Sequence, residues 1–141
     1  MSGSSWRDER RAALAAQAAA LDQRRAAETA QAHELIAGFV RAITATGEPP
    51  TRLRATVPDT GASYRTNLTG WYLRRNRTLA VDADACFYIL TVPSSLTSRI
   101  FGVRLVPSDP PLVVGRGGRD GESIPLEKLL RLRLEANESA G

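Results

Sequence analysis

Lysine, histidine and cysteine are almost absent from this chain of 141 residues. Of its 19 basic residues only Lys128 is a lysine; the other 18 are arginines. The lone cysteine, Cys86, excludes an intramolecular disulfide and a cysteine-rich zinc site. The lone histidine, His33, excludes a two-histidine metal site. No apolar run approaches the roughly 18–20 residues that cross a bilayer. The composition therefore gives no reason to expect a membrane span, a resident metal or a cofactor.

What is present is arginine, alanine and glycine, a mixture typical of high-GC bacterial coding. The net charge is +4 and unevenly spread. Residues 51–107 hold eight Arg and three Asp, a net of +5, while the flanking segments nearly cancel. Ala12 to Leu21 is apolar apart from Gln17 and comes after arginines, as in a signal peptide. Its alanine core, the acidic Asp8 and Glu9 before it, and the unbroken helical pattern after it argue instead for a cytoplasmic helix.

Residues 5–46 contain no proline and a single glycine, Gly38. Their alanine, arginine, glutamine and glutamate predict one long helix, with Ser4 or Ser5 as its cap. Gly47, Pro49 and Pro50 stop it. Leu35, Ile36, Phe39, Val40 and Ile43 form an apolar stripe that docks on the C-terminal domain. The first half carries Leu14, Ala18 and Leu21 on a weak coiled-coil seam that Arg25 and Glu28 interrupt. About 40 helical residues span roughly 60 Å, twice the width of the domain that the remaining residues can build. The first half therefore projects or meets a partner.

Beyond Glu48 the pattern changes to short strands and turns. Arg52–Val57 alternates and Pro58–Gly61 turns. Tyr64 opens a second strand and Gly70–Arg74 makes a third, with Arg74–Arg77 as a hairpin loop. Cys86–Val92 is a continuous apolar run, expected to be a central strand. Further strands are expected at Phe101–Val106 and Leu112–Val114, with a short helical turn from Ser94 or Ser95 between them. Ser123 is placed to cap a last helix with Pro125 in its first turn and Leu126, Leu129, Leu130 and Leu134 inward. The fold class is α+β. A long N-terminal helix (1–48) precedes a small, mostly antiparallel sheet domain (49–141), with the C-terminal helix packed on the sheet.

Three constellations bear on function. The N-terminal seam of Leu14, Ala18 and Leu21 is a surface for a protein partner or a second copy. Arg74, Arg75 and Arg77 beside Trp71 and Tyr72 are candidates for nucleic acid, with Arg52, Arg54 and Arg65 on nearby strands; a basic sheet with aromatic rings is one way to hold a single strand. Arg116, Gly117, Gly118, Arg119 and Ser123, between a strand and a helix start, are candidates for a small anion such as phosphate or a nucleotide. That loop lacks the Gly-Lys-Ser/Thr ending of a phosphate-binding P-loop. Asp82 and Asp84 fit an ordinary turn better than a metal site, for want of a third ligand nearby. His33 and Cys86 have no partners placed for nucleophilic catalysis. The expectation is a non-catalytic interaction or adaptor protein working through its N-terminal helix.

Overall fold

The computed structural model describes residues 2–58, 60–92, 105–115 and 123–140, the side chains of 2–4 and 137–140 excepted. Helix α1 runs Ser2–Ala45, about 66 Å at 1.5 Å per residue. Gly47 ends it in a left-handed conformation (φ 87°), its N–H donating to the Thr44 carbonyl at 3.1 Å. Then come β1 (Thr51–Thr56), β2 (Ser63–Tyr72), β3 (Leu79–Asp82), β4 (Phe87–Ile89), the two-residue strands β5 (Val113–Val114) and β6 (Ile124–Pro125), and helix α2 (Leu126–Ala140). The architecture is α+β with a four-stranded antiparallel sheet.

The strands pair in chain order, β1-β2-β3-β4, and the sheet curls. Thr56 N–H donates to the Leu90 carbonyl at 2.8 Å, and Val92 N–H donates to the Thr56 carbonyl at 3.0 Å. This parallel bridge joins the chain beyond β4 back to β1. The expected central strand is thus last in the ladder, and its continuation closes the curl. Its residues are not uniformly buried, since Ile89 is 47% exposed.

The curl has an apolar inside of Leu53, Leu68, Ala80, Tyr88 and Leu90, extended by Ala55, Val57 and Val92. The outside of β3, β4 and the end of β2 presents Trp71, Leu73, Val81 and Phe87 to the helices. There Ile36, Phe39 and Ile43 of α1 and Leu126, Leu129 and Leu130 of α2 complete the main core. Each fully buried Ile or Phe of this kind contributes about 1.5–3 kcal/mol of transfer free energy. Residues 32–43 therefore belong to the core of the C-terminal domain, as the stripe from Leu35 to Ile43 predicts.

Further expectations change. Ser4 and Ser5 do not cap α1 but lie within it, since the helix begins at Ser2. Residues 63–72 form one strand, not two. Gly70 is no break: β3 passes so close that a Cβ there would collide with the Val81 carbonyl oxygen. Ser123 does not cap α2, because β6 intervenes and the Leu126 N–H donates to the Leu112 carbonyl at 2.8 Å. At the expected strand Phe101–Val106 the described part, 105–106, is irregular, with Val106 75% exposed. The turn expected from Ser94 or Ser95 lies outside the described residues.

Candidate functional site

Two surfaces stand out. The first is the arm of α1. From Ser5 to Gln31 every residue is exposed except Thr29, which is half-buried. Leu14 and Leu21 are 58% and 49% exposed, and Ala18 lies between them. Alanine-rich sequence sustains such a helix locally, without tertiary packing. Leu14, Ala18 and Leu21 precede the buried Ala32, Ile36 and Phe39 by 18 residues each, five turns of helix. The arm's leucines therefore lie on the same side of α1 as the side chains that dock on the sheet. Where arm and domain part, a cavity of about 650 Å³ opens between Arg25, Glu28 and Thr29 on one side and Asp109, Leu112 and Val113 on the other.

The second surface is the outside of the β1–β2 hairpin, which no described helix or strand covers beyond the end of β2. The helices cover only the end of β2, so alternation leaves Arg52 and Arg54 on β1 and Ser63, Arg65, Asn67 and Thr69 on β2 exposed. Arg54 is the register partner of Arg65. Arg52, Arg54 and Arg65 together line a shallow depression of about 360 Å³.

Of the expected nucleic-acid set, Tyr72, Arg74, Arg75 and Arg77 lie close together, while Trp71 is withdrawn from them. Trp71 is 4% exposed and its indole N–H donates to the Glu48 carbonyl at 3.0 Å, so its ring is unavailable for stacking on a base. The Tyr72 ring is half-buried and already lies under Arg77, whose guanidinium carbon is 5.4 Å from the ring centre. Its hydroxyl accepts the Arg54 backbone N–H at 2.9 Å, tying β1 to the end of β2. Arg74 and Arg75 line, together with Tyr72, a cavity of about 540 Å³ whose other walls include Glu48, Leu129, Leu132 and Arg133. Arg116, Gly117, Gly118 and Arg119 of the expected anion loop lie outside the described residues. Ser123 is exposed ahead of β6.

The Asp82–Asp84 turn is built from within. Asp82 Oδ1 accepts the backbone N–H groups of Asp84 and Cys86 at 2.9 and 3.0 Å, and Oδ2 accepts the Tyr88 hydroxyl at 2.9 Å. Burial and the Asp82 carboxylate push both the Tyr88 phenol and the Cys86 thiol above their ordinary values. A thiol shifted upward is a poor nucleophile. Among the described residues no three His, Cys, Asp or Glu side chains gather to hold a metal, and no helix is long and apolar enough to cross a membrane. His33 is exposed on α1.

No protein family, curated protein or solved structure matches this chain. The arm residues are legible from helical spacing alone. The grouping of Arg65 with Arg52 and Arg54 as a cluster of their own is not; the only signal for it is the alternation of β1 combined with a short turn.

Proposed function

We propose that the protein is a non-catalytic interaction module whose N-terminal arm pairs with the arm of a second copy. The observation that carries this reading is the five-turn continuation of the docking stripe into Leu14, Ala18 and Leu21, which stand exposed. A helix that packs through one stripe at its root and leaves the same stripe bare for about 40 Å has a surface suited to another helix.

Charge favours an antiparallel pair. In a parallel pair in register, Arg25 meets Arg25 and Glu28 meets Glu28. Antiparallel, with Ala18 of one arm opposite Leu21 of the other, Arg11 falls opposite Glu28 and the aliphatic stem of Arg25 lies over Leu14. No like charges then stand directly opposite. Reversing one charge, Arg11→Glu, is expected to weaken association, and adding Glu28→Arg to restore it. Restoration by the double variant supports the antiparallel register. Additive loss in the double variant contradicts it.

A further inference from the structure

We propose that the exposed face of the β1–β2 hairpin is a docking site for the sugar–phosphate backbone of nucleic acid, with Arg52, Arg54 and Arg65 as the phosphate ligands. This site is separate from the arm and uses neither Trp71 nor Tyr72.

Three guanidinium groups converge here against their own repulsion. Arg54 and Arg65 are direct cross-strand partners, an arrangement that costs stability. None of the three is ion-paired among the described residues, and β1 and β2 contain no Asp or Glu. Two are held in place. Arg54 donates from Nε to Ser63 Oγ at 3.0 Å and from Nη2 to the Ser63 carbonyl at 3.2 Å, and Arg52 Nη1 donates to the Thr66 carbonyl at 3.2 Å. A guanidinium has five N–H donors, so each keeps donors free for a phosphate.

The neighbouring side chains narrow the choice of anion. Ser63, Asn67 and Thr69 share this exposed face with the arginines; Asn67 Oδ1 accepts the Leu105 N–H at 3.1 Å. Arginine with Ser, Thr and Asn is the set that contacts DNA and RNA backbones. Among the described residues, β1 and β2 present no large exposed apolar side chain on this face to enter a lipid surface or anchor a protein partner. With Trp71 buried and the Tyr72 ring occupied, base stacking is not available here, so recognition is by charge and independent of sequence.

The test is fluorescence anisotropy of the full chain with a labelled 20-base-pair DNA duplex across a salt series. Three neutralised phosphates give a log–log salt slope of about −2.7, a roughly forty-fold loss of affinity between 50 and 200 mM salt. Each of Arg52→Gln, Arg54→Gln and Arg65→Gln is expected to flatten that slope by about one. The triple variant, shown folded by circular dichroism, is expected to lose binding, whereas Arg75→Gln with Arg77→Gln retains it. The proposal is overturned by no binding at 50 mM salt, by unchanged binding in the triple variant, or by equal loss in the Arg75/Arg77 variant. Equally tight binding to polyglutamate or to vesicles of anionic lipid also overturns it.

Discussion

Arg133 and Glu48 stand 85 residues apart in the chain and 2.6 Å apart in space, Nη2 to Oε2. The same guanidinium donates from Nε to the Tyr72 carbonyl at 2.8 Å. One side chain of α2 thereby ties down the linker after α1 and the end of β2. The Glu48 carbonyl meanwhile receives the Trp71 indole N–H. The C-terminal end of α1 is thus fastened to the domain at this junction.

Both charged side chains of this junction are about three-quarters buried, so their pairing is worth more than a surface ion pair. Arg133→Ala is expected to destabilise the fold by about 1.5–3 kcal/mol, the range for hydrogen bonds to charged groups. Arg133→Lys should recover little, because an ammonium does not reproduce a fork aimed at two separate acceptors. Urea unfolding of the three proteins checks both statements.

Root and arm are expected to respond in opposite ways to truncation. Phe39→Ala removes a side chain 3% exposed in the main core and should cost about 3–5 kcal/mol. Leu14→Ala and Leu21→Ala change side chains about half exposed, and at a concentration where the protein is monomeric they should fall within about 0.5 kcal/mol of the parent. Thermal unfolding at low concentration makes the comparison.

Gly70 is expected to tolerate no side chain. Its Cβ would meet backbone, the Val81 carbonyl oxygen, and not the yielding end of a side chain. Gly70→Ala should therefore cost about 1–3 kcal/mol or more, the scale of overpacking. Gly38→Ala serves as the control, since a Cβ there makes only ordinary contact with the Arg41 side chain.

Much of this fold is legible in the sequence, for physical reasons. A stretch without proline and with one glycine announces α1, and the stripe from Leu35 to Ile43 announces its docking. Gly70 misleads because a glycine that breaks a strand and one that admits a close neighbour look alike. The closure of the curl rests on Thr56 bonding to residues beyond β4, a contact no local periodicity carries. The start of α2 is set from Leu112, fourteen residues upstream, so Ser123 and Pro125 read locally give the wrong cap. At the candidate sites, Leu14, Ala18 and Leu21 are visible because helical spacing is local. The joining of Arg65 to Arg52 and Arg54 depends on hairpin register and on the irregularity between Arg52 and Arg54, which the sequence does not mark.

Tyr88 sets a limit on alkaline stability. Its phenol is held above its ordinary value by burial and by the Asp82 carboxylate it bonds. Above pH of about 10 the unfolded chain gives up this proton while the folded chain keeps it, so stability is full below that pH and falls as pH rises. The slope from one such group approaches about 1.4 kcal/mol per pH unit. Tyr88→Phe should be less stable near neutrality, losing the bond to Asp82, yet show a shallower decline from pH 10 upward. Urea midpoints measured across that range decide it; parallel curves for the two proteins contradict the assignment.

The most direct test of the central claim is the absolute mass of the full chain by light scattering over a dilution series. Antiparallel pairing of the arms predicts about 30 kDa, twice the 15.2 kDa of one chain, falling to the monomer in a Leu14→Glu, Leu21→Glu variant whose domain stays folded. A parent chain that remains at 15.2 kDa throughout, or a variant that remains a dimer, contradicts it.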